Sequence, residues 1–105
     1  MIKHIVMWKF KESAEGKSRA ENMQIVKEQL LSLVGLIPQI RSMEVGFDVT
    51  HGERSMDLCL VAEYDNVADL KIYAEHPEHL KVGVYVRLVT ESRVVLDYEM
   101  EGAKK

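Results

Sequence analysis

Residues 2–11 alternate strictly, and both of the faces they define are apolar at the centre. Ile2, His4, Val6, Trp8 and Phe10 share one face, while Ile5 and Met7 sit in the middle of the other, flanked by Lys3, Lys9 and Lys11. Successive side chains of a strand point to opposite faces, so this stretch reads as a strand covered on one side and needing a cover on the centre of the other. A chain of 105 residues has room for a single core, and a domain of this size buries roughly two thirds of the surface its unfolded chain exposes. That core lies against one face. The second face has to find its cover elsewhere.

Hydrophobic residues make up 47% of the chain and charged residues 30%, the balance of a globular domain rather than a disordered one. The net charge of -3 and the absence of any basic run longer than Lys104 and Lys105 argue against a nucleic-acid partner, because phosphate binding draws on clustered Lys and Arg. Cys59 is the one cysteine and makes no internal disulfide. With a strand following Met1 where a signal peptide would stand, the expected compartment is the cytoplasm. No apolar run approaches the roughly 18 residues of a membrane helix, so no membrane partner is expected.

Ser18 and Glu21 form an S-x-x-E capping box ahead of Met23, Val26, Leu30, Leu33 and Leu36 or Ile37, whose spacing of three and four predicts an amphipathic helix. Gly35 and Pro38 stop it. Residues 41–49 alternate again, a loop at 50–55 carries His51, and residues 56–64 form a third strand with Met56, Leu58, Leu60, Ala62 and Tyr64 on one face. Cys59, on its other face, reads as a small buried hydrophobe. Asp65 or Asn66 caps a short helix carrying Val67, Leu70 and Ala74 inward, with Tyr73 one turn from Asp69. Residues 77–91 carry two signals: Val82, Val84 and Val86 alternate as in a strand, whereas Leu80, Val84 and Leu88 keep helical spacing. Length and the proline start favour helix. Residues 93–99 close the chain as a strand.

The order β, α, β, β, α in two pieces, β is the ferredoxin-like α+β order, an antiparallel four-stranded sheet with its helices on one face. Residues 1–100 are expected to form one domain and residues 101–105 a disordered tail. The uncovered sheet face, read as Ile5, Met7, Cys59, Val61 and Val95, predicts a homodimer in which two sheets meet face to face.

Chemistry concentrates at one corner. Tyr73 to His79, YAEHPEH, holds two of the four histidines, one of the four tyrosines and one of the two prolines. Pro77 ends one helix and opens the next, since its missing N–H is one that a first turn leaves unpaired. With Pro77 at N1, His79 is at N3, where the positive end of the helix disfavours imidazolium and holds the ring as a neutral base. Tyr73 is a phenol able to donate to a developing oxyanion. The structural readings stand beside these: His76 caps the helix, Glu78 complements its dipole, and Tyr73 with His79 forms a satisfied buried pair. A zinc site at His76 and His79, with Glu75 and Glu78 alongside, is disfavoured, because catalytic zinc wants three ligands of suitable geometry and Pro77 with the helix start makes the two rings hard to converge.

The opening I-K-H-I-V-x-x-K-F-K, the central G-L-I-P-x-I with G-x-D-V, the Y-A-E-H-P-E-H corner and the closing V-x-D-Y together resemble the stress-responsive A/B barrel (Dabb) family over nearly the whole chain. The resemblance implies a dimeric α+β barrel and a helix at 77–91. It is similar, more distantly, to the olivetolic acid cyclase branch, which closes a linear polyketide by aldol condensation. There it implies Tyr73 and His79 as the catalytic pair and His4 as a pocket residue. Leu58 stands where the cyclase has a further pocket histidine, so the cyclase's own substrate is not implied.

Two functional readings follow. In the first, a cleft between sheet and helices binds a small apolar carbonyl compound. Tyr73 and His79 are catalytic there, His4, Val6, Trp8, Leu58 and His76 contact the substrate, and no cofactor or metal takes part; the reaction is a lyase, cyclase or isomerase step. In the second, the protein is a non-catalytic dimer with a structural, stress-response or regulatory role. A cleft of a few hundred cubic ångströms bearing Tyr73 and His79 favours the first, and a filled core favours the second.

Overall fold

A computed structural model describes residues 1–101. The first strand, β1 (Ile2–Phe10), is followed by a small hairpin of β2 (Ser13–Ala14) and β3 (Lys17–Ser18), then by helix α1 (Arg19–Ser32) and a 3₁₀ turn (Leu33–Gly35). Next come β4 (Ser42–Phe47), β5 (Leu58–Tyr64), helices α2 (Val67–Glu75) and α3 (Pro77–Val89), and β6 (Thr90–Glu99). The long strands form one antiparallel sheet in the order β4-β5-β1-β6, the ferredoxin-like arrangement that the element order predicted. Of the expected tail, Glu101 carries no regular structure; residues 102–105 lie outside the described residues. Among the described residues no helix is long and apolar enough to cross a membrane.

The capping box forms as written in the sequence: the Ser18 hydroxyl accepts from the Glu21 amide at 3.2 Å, and the Glu21 carboxylate accepts from the Ser18 amide at 3.1 Å. Helix α1 is shorter than its apolar spacing suggests, because the chain tightens into 3₁₀ at Leu33. That turn leaves Leu36 exposed and buries Ile37. The hairpin of β2 and β3 replaces the plain turn expected there. Glu15 and Gly16 at its tip have φ of 54° and 73°, the left-handed conformation that glycine adopts without a steric penalty. Strand β5 starts at Leu58 rather than at Met56, since Asp57 is held out of the ladder by other bonds: its carboxylate accepts from the Phe10 amide at 2.7 Å and its own amide donates to the Trp8 carbonyl at 2.9 Å.

The core lies between the sheet and the helices. Val6, Trp8 and Phe10 of β1 and Leu58, Leu60, Ala62 and Tyr64 of β5 are buried against Val26 and Leu30 of α1 and Val86 and Val89 of α3. Two helices turn differently from their apolar spacing. Helix α2 buries Tyr73 and half-buries Leu70, but Val67 and Ala74 are exposed. Helix α3 turns Val86 and Val89 inward, and leaves the Leu80, Val84 and Leu88 stripe in the open.

On the other side of the sheet, Ile5 pairs with Val61 and Leu96, and Met7 with Cys59 and Val94. Val95 is not on this face. The antiparallel register sets it opposite Val6, on the helix side, and Val94 and Leu96 take its place in the outward apolar patch. Val94 and Leu96 are 49% and 60% exposed in the single chain.

Candidate functional site

The corner between α2 and α3 forms because two local signals agree. Pro77 opens α3, and the His76 imidazole caps it, its Nδ1 accepting from the Glu78 amide at 3.1 Å. That hydrogen bond satisfies a donor that a helix start leaves free. His79 lies one turn further on, and its Nδ1 is 3.1 Å from the carbonyl of Ala74. A carbonyl only accepts, so Nδ1 carries the proton and Nε2 is left with its lone pair. Tyr73, on the last turn of α2, places its ring 4.4 Å from the His79 ring, centroid to centroid.

The sheet supplies the other half. His4, in the middle of β1, is buried, and its Nδ1 is hydrogen-bonded to the Asp97 carboxylate of β6. Its cross-strand pairing with Asp97 makes that contact, and the carboxylate orients the ring with its Nε2 unprotonated unless the ring is charged. The His4 ring is 6.1 Å from Tyr73 and 6.2 Å from Tyr64, while Tyr64 and Tyr73 stand 5.2 Å apart. The two phenols face one another and influence each other's ionisation. Even so, neither buried hydroxyl has a protein hydrogen-bond partner of good geometry.

Electrostatics separate the two members of the corner pair. Burial, followed by the nearby charges of His4, Arg93 and Arg87, lowers the His79 pKa below the ordinary imidazole value of 6.5. The bond to Ala74 opposes this in part. The ring is therefore neutral at pH 7, favoured by burial and the neighbouring cations in addition to its place in the first turn of α3. Burial pushes the Tyr73 phenol up to about 12, and Tyr64 is raised further for the same reason. Near neutral pH the tyrosines are donors.

A cavity of about 560 Å³ opens between the sheet and α3, within the size range of small-molecule sites. His4, Val6, Trp8, Tyr73 and His79 all line it. Leu58 and His76 do not: Leu58 is packed in the core with 1% of its surface exposed, and His76 is turned to its capping bond. The cavity floor is apolar, made by Val6, Trp8, Leu30, Leu60 and Val86, and its rim carries Arg87, Glu91, Ser92 and Arg93. Among the described residues no three His, Cys, Asp or Glu side chains come together as a metal site.

Sequence reasoning singled out neither Asp97 nor Tyr64 nor the two arginines for the site. Tyr64 carried a readable signal, since its alternation with Leu58, Leu60 and Ala62 places it on the core face. Asp97 stands in the closing V-x-D-Y, but its contact with His4 depends on which strands pair and in what register.

The model of the stress responsive A/B barrel domain matches residues 2–100. Among curated proteins none matches the chain significantly. Among solved structures, a dimeric protein of unknown function with a ferredoxin-like fold from Bacteroides fragilis superposes with a TM-score of 0.84 at 36% identity, over 94% of this chain and 95% of that one. A dimeric ferredoxin-like protein of unknown function from Thermobifida fusca superposes with a TM-score of 0.81 at 20% identity, over 94% and 90% of the two chains. The hydroxynitrile lyase of Passiflora edulis does so with a TM-score of 0.83 at 17% identity, over 99% and 96%. These last two identities speak for the shared fold alone. With the family model spanning all but the ends of the chain, and a relative alike in sequence and fold, this protein belongs to the stress responsive A/B barrel domain family.

Proposed function

We propose that the protein binds a small, largely apolar carbonyl compound in the cavity between sheet and helices and converts it by cofactor-independent acid–base chemistry, as a polyketide cyclase or an isomerase does. The observation that carries this reading is the convergence of His79, Tyr73 and His4 on one cavity of about 560 Å³, with His79 held neutral and Tyr73 held protonated. Two groups pushed in opposite directions divide the roles of base and donor between them.

In this reading the His79 Nε2 takes a proton from the carbon next to the substrate carbonyl. The electron pair of that C–H bond moves into an enolate, whose oxygen accepts from the Tyr73 hydroxyl. The enolate carbon then attacks a second carbonyl of the same molecule, forming a C–C bond and an alkoxide that takes the proton back from His79. In an isomerisation the proton returns to a different carbon instead. His4, oriented by Asp97, offers a second imidazole to relay protons. A structural relative named as a hydroxynitrile lyase supports a small-molecule role for a fold of this kind.

The same reading includes a dimer. The outward patch of Ile5, Met7, Val61, Val94 and Leu96 is apolar, and the Bacteroides fragilis relative is dimeric. Pairing two such faces removes them from water.

A thermal-shift screen of alkyl and aryl ketones and diketones on wild type and His79→Ala tests the proposal. NMR in D₂O then follows exchange of the proton beside the carbonyl for each hit. The reading expects hits on the wild type whose exchange is accelerated by the protein and not by His79→Ala. If no ketone binds, or if exchange is indifferent to His79, the proposal is wrong.

A further inference from the structure

The rim of the cavity holds two arginines for which the reaction above has no use. Arg87 projects from α3 and Arg93 from β6, both exposed, and both line the cavity whose floor is apolar. Neither makes an ion pair among the described residues, whereas Arg41 forks onto Asp65 at 2.8 and 3.0 Å and Arg19 approaches Asp57 at 4.0 Å. Glu91 is the one acidic side chain among the residues lining this cavity, and it is not within ion-pair distance of either arginine. Asp97, further along β6, is engaged with His4.

Gly83 adds an independent observation. A glycine inside a helix costs about 1 kcal/mol relative to alanine, and this one sits in the middle of α3. It lines the cavity, and a Cβ built on it would lie 3.3 Å from the Arg87 Nη1. Side chains four apart on a helix lie on the same face, and the longer one leans back toward the N-terminus. The missing side chain leaves the Arg87 guanidinium free to lie along the helix beside the cavity mouth, and an alanine there would shift it by a few tenths of an ångström. The charges are felt inside, since Arg93 and Arg87 both disfavour a proton on His79.

The geometry points to a substrate with a carboxylate at one end, which docks on Arg87 and Arg93 at the rim while the apolar body carrying the carbonyl extends over Val6, Trp8 and Leu60 toward Tyr73 and His79. This assignment rests on the carbonyl-compound reading of the cavity and specifies its substrate class. A guanidinium presents a planar fork of donors that matches a carboxylate, and the apolar floor below accepts a chain or ring but no second charge. Exposed arginines are screened by salt, so the carboxylate's share of the affinity falls as ionic strength rises.

Trp8 is the one tryptophan of the chain and lines the cavity, so its fluorescence reports occupancy. The probes are 4-phenylbutanoate, its methyl ester and phenyl phosphate, titrated into the full chain. The proteins are wild type, Arg87→Gln, Arg93→Gln, the double variant and His79→Ala. The wild type is expected to bind the acid at least tenfold tighter than the ester. The double variant loses that preference while its affinity for the ester is unchanged, and His79→Ala keeps the preference. Equal binding of acid and ester to the wild type overturns the carboxylate assignment and leaves the cavity reading standing, and tenfold tighter binding of phenyl phosphate overturns it likewise. If none of the three changes Trp8 fluorescence, both readings fall together.

Discussion

Tyr73 and Tyr85 allow the same substitution to be made twice in one protein with opposite expected signs. Tyr73 is 1% exposed, and its hydroxyl has no protein partner. Leaving a buried hydroxyl unsatisfied costs about 1–3 kcal/mol, reduced here by the neighbouring Tyr64 phenol. Tyr73→Phe removes the oxygen and keeps the ring, so the ligand-free protein should gain about 1 kcal/mol, equivalent to a rise in Tm of roughly 4–8 °C for a domain of this size. The Tyr85 hydroxyl donates to the Asn22 Oδ1 at 2.5 Å, and Tyr85→Phe should lose about 1 kcal/mol. Calorimetry at one fixed protein concentration measures both, so that the proposed dimerisation contributes equally to each comparison. Ketone binding or turnover should fall in Tyr73→Phe in spite of its higher Tm, the usual exchange of stability for function at a site. If Tyr73→Phe instead destabilises as much as Tyr85→Phe, its hydroxyl is satisfied without ligand, by a bridging water or by Tyr64. A substrate oxygen is then not needed as its hydrogen-bond partner.

His79 titrates below 6.5 in the folded protein, so the unfolded chain holds its proton more tightly. Its contribution to stability is complete above pH 6.5 and is lost as the pH falls from there through the folded value. An NMR titration of the ring should place its midpoint below 6.5, matching the acid limb of kcat/KM, and a midpoint above 6.5 contradicts the burial argument. Asn22, 1% exposed, donates to the Ala14 carbonyl at 3.0 Å and accepts from Tyr85. Asn22→Ala strands both partners and should cost about 1–3 kcal/mol in urea denaturation; a loss under half a kilocalorie would mean that water replaces the amide. Leu96→Asp places a charge in the outward sheet face, and sedimentation at micromolar concentration should show wild-type dimer and variant monomer. A monomeric wild type removes the face-to-face pairing.

The strands were legible because a half-buried strand has to alternate, and residues 2–11 and 56–64 do so without a break. The start of α1 was legible because Ser18 and Glu21 satisfy each other's backbone over three residues, and the start of α3 because Pro77 follows a histidine that caps. The limits were set by contacts with distant residues. Asp57 alternates like a strand residue, yet the Phe10 amide holds it out of the ladder, 47 residues away in sequence. Leu80, Val84 and Leu88 look like a buried stripe, but α3 packs through Val86 and Val89. Helical spacing tells which residues share a face and not which face meets the core. In the site, Tyr73, His79 and His4 were singled out from the sequence and line one cavity; Leu58 and His76, singled out with them, do not.

What the chain determines locally is the corner: Pro77 breaks the helix, the His76 imidazole caps the next one, and Tyr73 and His79 are separated by the turn between them. Those are interactions between residues a few positions apart, and they are written in the order of the amino acids. The tertiary structure decided the rest of the site. Strand register pairs Asp97 with His4 and sends Val95 to the opposite side of the sheet from Val94 and Leu96. The packing of α3 over β1 sets Arg87 and Arg93 around a cavity and buries His79 enough to keep it neutral. Register and packing are relations between segments far apart in the chain, set by the core as a whole, and no local pattern encodes them.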